Sequence, residues 1–171
     1  MTRRKRRAGV TLRAAGLVAA HLAASAAMAV EWRHHANARF GYEIEVPADF
    51  LIASSADNGD GDTFESADKT AELRVWGTSV AEGDFRAEAD DRRNTASFVD
   101  GWQISYEKTT DRWTSYSGTK DGRVIYVRGI ALCDGEAAFF QLVYPQAQLA
   151  VYDAVVSHLV DTLKPADGCE P

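Results

Sequence analysis

The sequence predicts an α+β fold, an antiparallel β-sheet flanked by helices. Three observations carry that expectation. Two apolar runs, Val124 to Cys133 and Ala137 to Tyr144, are joined by Asp134-Gly135, the dipeptide that best accepts positive φ at both hairpin positions. The next stretch, Gln146 to Lys164, switches to a helical period. Upstream, shorter segments alternate apolar and polar residues, which brings the total to about seven or eight strands, with helices at two places only.

From the start of the chain, Arg3, Arg4, Lys5, Arg6 and Arg7 form a basic cluster, Ala14 to Val30 is apolar and alanine-rich, and Ala27-Met28-Ala29 fits the small-x-small rule for signal peptidase. Residues 1–29 are therefore expected to be a cleaved secretory signal, and residues 30–171 a single domain. The apolar run is weak for a spanning anchor, which needs about 20 strongly apolar residues. Lys5 and Arg6 stand where a twin-arginine signal expects an apolar residue, so ordinary export to the periplasm or the outside of the cell is the reading. No membrane insertion is expected after cleavage.

Tyr42, Ile44 and Val46 alternate with Glu43 and Glu45 as a strand with one wet face, ended by Pro47. Phe50 to Ala53 and Thr63 to Ser66 read as short strands on either side of a loop, Asp57-Asn58-Gly59-Asp60-Gly61-Asp62. In Thr70 to Val80, Ala71, Leu73 and Val75 oppose Glu72, Arg74 and Trp76. Asp84 is placed to cap a surface helix from Phe85 to Asn94, with Glu88 and Arg92 four residues apart and a thin stripe of Phe85, Ala89 and Ala96. Trp102, Ile104 and Tyr106 mark a half-buried strand, Arg112 to Gly118 another, and Lys120-Asp121-Gly122 a turn.

The run from Val124 carries bulk on both parities, as a strand covered on both faces does, so it belongs inside the sheet. Gly129 within it can mark a bulge. In the last helix Leu149, Tyr152, Val156, Leu159 and Leu163 fall on one stripe, widened by Val155 and Val160. Burying each of those five contributes about 1.5–3 kcal/mol before ordering entropy is counted.

The chain has 19 Lys+Arg and 25 Asp+Glu. Six basic residues and no acidic one lie in the first 29 positions, so the remaining 142 residues carry thirteen positive against 25 negative side chains, a formal −12. Nucleic acid and anionic membrane need clustered positive charge and are disfavoured as partners. Two cysteines remain, Cys133 and Cys169, and in an oxidising compartment the default for such a pair is a disulfide worth about 3–4 kcal/mol. A redox role lacks a Cys-x-x-Cys or a helix N-terminus to activate a thiol.

Gly41-Tyr42-x-Ile44-x-x-Pro47-x-x-Phe50 resembles the opening strand of PsbP-like domains, and Phe140-x-Leu142 with Asp153-x-Val155-Val156-Ser157 resembles their last strand and helix. Arg39-Phe40-Gly41-Tyr42, Asn58-Gly59-Asp60-Gly61 and Leu73-x-Val75-Trp76-Gly77 are more closely similar to a group of uncharacterised secreted bacterial proteins. The resemblance spans most of residues 30–171. It implies an α/β/α sandwich used mostly as a binding or assembly module, without transferring a specific partner.

The candidate chemistry is thin. Asp57, Asp60 and Asp62 offer oxygen ligands suited to calcium. Setting Gly61 at the invariant glycine of an EF-hand puts Ala56 and Ala67 at the first and twelfth ligand positions, so a solvated turn is the plainer reading. His34 and His35 are neighbours that diverge in a strand, and His158 lies off the helical stripe; no metal is assigned. No Gly-x-Ser-x-Gly elbow and no phosphate-cradling glycine loop occurs. Trp76, Trp102, Trp113 and Tyr116 could line a ligand patch or fill the core. With no cofactor and no catalytic residue assigned, the sequence points to a soluble extracytoplasmic protein, a non-enzymatic binding or accessory module for an unknown protein or small ligand of the envelope. The competing reading is a small periplasmic hydrolase using acidic residues, for which a carboxylate pair is the signature to look for.

Overall fold

The computed structural model describes residues 30–81 and 84–166. Ten strands and two α-helices follow in the order β1 (Trp32–Asn37), β2 (Tyr42–Pro47), β3 (Leu51–Ser55), β4 (Gly61–Glu65), β5 (Glu72–Ser79), α1 (Phe85–Asn94), β6 (Gln103–Thr109), β7 (Trp113–Lys120), β8 (Arg123–Ala131), β9 (Glu136–Pro145), α2 (Leu149–Thr162) and β10 (Lys164–Pro165). Seven strands form one antiparallel sheet in the order β3-β4-β5-β9-β8-β7-β6, and β1-β2-β10 form a second, smaller one. The fold is the expected α+β arrangement, with β8 and β9 inside the sheet.

Alternation along β5, β8 and β9 divides their side chains between two cores. Leu73, Val75, Phe140 and Leu142 join Ile44 and Val46 of β2 and Val156 and Leu159 of α2. On the opposite face Phe139, Ile125, Val127 and Tyr116 meet Phe85 and Ala89 of α1. The seven-stranded sheet is therefore sandwiched between the small sheet with α2 and the shorter cover of α1.

The Asp134-Gly135 turn forms as expected, with φ of 57° and 72°. Leu132 and Glu136 close it through a 2.8 Å backbone bond, Leu132 N–H donating. Asp84 caps α1, its carboxylate accepting from Ala87 N–H at 3.0 Å, and Arg92 meets Glu88 at 2.5 Å.

Several expectations are corrected. Gly129 is not a bulge: its register with Thr114 and Phe139 is unbroken. A Cβ there would lie 2.2 Å from the Phe139 ring, so the glycine makes room for that aromatic. The final helix is shorter than expected, since residues 146–148 form a 3-10 turn and Leu163 already leaves the helix. Leu149, placed on its buried stripe, is 53% exposed because α2 only begins there. Pro165 does not simply end the helix; Lys164–Pro165 pairs with β2 as a third strand. The segment around Ile104 is an edge strand with a register shift, which leaves Tyr106 exposed. Finally, α1 runs into a π-turn, Thr95–Val99, that buries Ala96 and turns Phe98 and Val99 outward.

Candidate functional site

The alternation that sends Leu73 and Val75 into one core puts Arg74 and Trp76 on the other face, where α1 lies. Trp76 stacks on Phe139 at 5.6 Å between centroids, and Phe85 covers Phe139 from the start of α1 at 6.2 Å. Ten residues of helix do not span seven strands, so the β3–β5 side of this face has no helical cover among the described residues.

A trough results. One cavity of about 320 Å³ lies along α1 between Trp76, Arg92, Tyr116 and Gln141. A second, of about 410 Å³, continues over β3 and β4 past Ser54, Asn58 and Thr63. The two share Arg74 and Trp76 as their common wall. Gly61 forms part of the floor, where a Cβ would meet the Trp76 Cβ at 2.7 Å.

The charges in the trough are unevenly used. Arg92 is wedged over Phe139 at 4.5 Å and beside Trp76 at 5.4 Å, with its charge balanced by Glu88. Such stacking of a guanidinium on aromatic faces is favourable by about 0.5–2 kcal/mol. Arg74 is exposed, lies 5.7 Å from the Trp76 ring, and has no carboxylate within ion-pair distance among the described residues. The buried Tyr116 hydroxyl is pushed up to about 12 by desolvation, so it stays a neutral donor at physiological pH. Among the described residues its one hydrogen bond is a long 3.5 Å donation to the Arg92 carbonyl. The trough thus presents guanidinium, phenol and amide donors beside the Asp91 and Asp100 carboxylates, a set that suits a polar ligand with both donors and acceptors.

The residues singled out from the sequence are only partly gathered here. Trp76 and Tyr116 line the trough, with Tyr116 also in the core. Trp102 packs against the α1-side core, while Trp113 sits on the opposite face under Arg128, 4.2 Å from its ring. The acidic loop does not converge: Asp60 pairs with Arg39 at 3.2 Å, Asp62 faces His35 at 3.5 Å, and Asp57 is exposed. No group of three or more potential metal ligands assembles among the described residues. His34 and His35 diverge as neighbours in a strand do, His34 reaching Glu43 at 3.6 Å. Cys133 opens the turn after β8; Cys169 and residues 1–29, where a secretory signal is expected, lie outside the described residues.

One constellation was not legible. His158 of α2 stacks on Trp32 of β1 at 3.6 Å and its Nε2 lies 2.6 Å from Glu45 Oε2. The His158–Glu45 pair is separated by 113 residues, so no local spacing announces it. It is half-exposed on the outer face of the small sheet, and no hydroxyl or thiol is in hydrogen-bond reach of the ring among the described residues. Arg74, Arg92 and Gln141 were likewise unmarked, their only signal being polarity on one parity of otherwise apolar strands or in a helical ion pair.

No protein-family model matches the chain, and no curated protein sequence does. Solved structures do match. Cyanobacterial PsbP (CyanoP) from Synechocystis sp. PCC 6803 superposes with a TM-score of 0.61 at 10% identity, over 80% of this chain and 93% of that one. The chain has a PsbP-like fold. The Ran-binding protein Mog1p of Saccharomyces cerevisiae is also similar, with a TM-score of 0.58 at 12% identity over 81% of this chain and 97% of that one. At such identities the likeness lies in the PsbP-like fold alone, and no site residue is carried across. No helix among the described residues is long and apolar enough to cross a membrane.

Proposed function

We propose that this PsbP-like domain, residues 30–171, is a non-enzymatic binding or accessory module that works outside the cytoplasm. The observation that carries the reading is the half-roofed trough around Arg74 and Trp76, which offers polar recognition groups without a nucleophile and base in contact. The basic-then-apolar opening and Ala27-Met28-Ala29 support export with cleavage after Ala29. A Cys133–Cys169 bridge fits that compartment, and no cysteine among the described residues is free. That Mog1p is a Ran-binding protein makes a protein partner a natural candidate on this fold.

Retrieval of the mature protein from its native envelope fraction tests the reading. A partner that co-purifies with the native protein and is lost with Arg74→Ala supports it. Recovery of the protein alone, with turnover of a generic ester or glycoside, overturns it. The hydrolase alternative has one observation in its favour, the His158–Glu45 contact at 2.6 Å. It requires that His158→Ala abolish such turnover.

A further inference from the structure

The two outer strands of the seven-stranded sheet differ in how they face solvent. On β6, Glu107 and Lys108 stand on the strand and Arg93 of α1 reaches across to Glu107 at 3.1 Å. Charges of this kind are the usual protection of a sheet edge against added strands. β3 has none: its sequence is Leu-Ile-Ala-Ser-Ser, and all five residues are exposed. Leu51 is 64% exposed. Ile52, which pairs with the buried Phe64 and so faces the first core, is still 58% exposed. One guard is present, a register shift between Ile52 and Ser54 that twists the strand.

The ends of this strand lead into the two larger cavities. Phe50, immediately before β3, lines an apolar groove of about 490 Å³ with Pro47, Val151 and Tyr152, rimmed by Glu31 and Asp49. Ser54 and Ser55 at its other end line the trough. A chain laid along β3 therefore reaches an apolar pocket with an acidic rim.

We propose that β3 is a docking edge for an extended segment of another protein, one that places an apolar side chain in the Phe50–Tyr152 groove and a lysine or arginine beside it. Main-chain hydrogen bonds supply affinity in strand addition, and side-chain pockets supply specificity. The charge pattern selects the partner. From Pro47 to Gly59 there is no Lys or Arg. Arg33 of β1 donates to the Phe50 carbonyl at 2.9 Å and Arg39 reaches the Asn58 carbonyl and Asp60, but Glu31, Asp49 and Asp57 have no cation within ion-pair distance among the described residues. Two copies of this chain paired antiparallel about Ala53 would set Asp49 against Asp57 at both ends, so self-pairing is opposed. A basic segment meets the same carboxylates favourably. The occupant is distinct from the trough's ligand, and the proposal stands whether or not that ligand is found.

The test uses the mature protein and an immobilised library of synthetic ten-residue peptides spanning basic–apolar, acidic–apolar and neutral compositions. The expected result is selective retention on basic–apolar peptides, with slowed amide exchange at Leu51 to Ser55 in the complex. Ile52→Lys, at an exposed site that tolerates charge, should weaken binding at least tenfold with an unchanged unfolding midpoint, and Val151→Asn, which removes apolar lining without adding charge, should weaken binding to a peptide whose anchor is apolar. Retention without preference for basic peptides overturns the proposal, as does exchange protection confined to other strands. A dimer in solution that Ile52→Lys dissociates also overturns it, because the edge would then belong to a second copy.

Discussion

Gly129 has Phe139 where a side chain would be, with the ring 2.2 Å from the position of a Cβ. Gly129→Ala must push that ring in a closely packed core, so it is expected to cost about 1–3 kcal/mol in urea unfolding. A Gly129→Ala/Phe139→Leu double variant should fall short of the sum of the two single losses, since the smaller side chain removes the clash. From sequence the glycine read as a bulge, because a missing side chain leaves the same mark whether the backbone bends or a distant ring needs space. His35 makes a second test. Burial pulls its imidazole below the ordinary pKa, with Asp62 only partly opposing this. The unfolded chain therefore binds more protons than the folded one near and below pH 6.5, and stability falls as pH drops through that range. Urea midpoints between pH 7.5 and 5.5 should decrease, and His35→Gln should flatten the slope. An unchanged slope in that variant would assign the pH dependence elsewhere.

At the scale of elements, the final helix separates what pattern reveals from what it cannot. Its core stripe was legible because Tyr152, Val156 and Leu159 recur at helical spacing, and all are buried. Leu149 obeys the same spacing yet sits in the first turn, beyond what the sheet reaches. Leu159→Ala is expected to cost about 2–5 kcal/mol, whereas Leu149→Ser should stay within about 0.5 kcal/mol, both read from denaturant unfolding. Equal costs would mean that the helix packs in a different register. The extent of β1 was not legible for the opposite reason: Trp-Arg-His-His-Ala-Asn has no period of two, so beyond the extended His34-His35 pair only pairing with β2 defines the strand. For α1 the cap and the Glu88–Arg92 pair were legible, but not that Arg92 would turn inward over Phe139. Asp84→Ala should destabilise the domain by about 1 kcal/mol.

At the largest scale, the described residues of this acidic chain form a PsbP-like sandwich with one face incompletely roofed. The helix-covered antiparallel sheet follows from hydrophobic patterning and was readable in sequence, whereas the separate β1-β2-β10 sheet was not, since β1 has no period of two and β10 is only two residues long. The trough was not, because it is produced by what α1 fails to cover. A Cys133–Cys169 bridge, by limiting the unfolded chain, should contribute about 3–4 kcal/mol. Intact mass should rise by two hydrogens on reduction, and Cys133→Ser should lose most of that stability. Above all, the trough should be where a ligand or partner contacts the protein. Site-specific photo-crosslinking in the native cell tests this most directly, with the probe at Thr95 on the exposed rim of the trough and, as control, at exposed Arg112 between β6 and β7, away from both the trough and the Phe50–Tyr152 groove. A defined adduct from position 95 that Arg74→Ala removes, and none from position 112, is the predicted result; adducts from position 112 alone, or none from either, would contradict it.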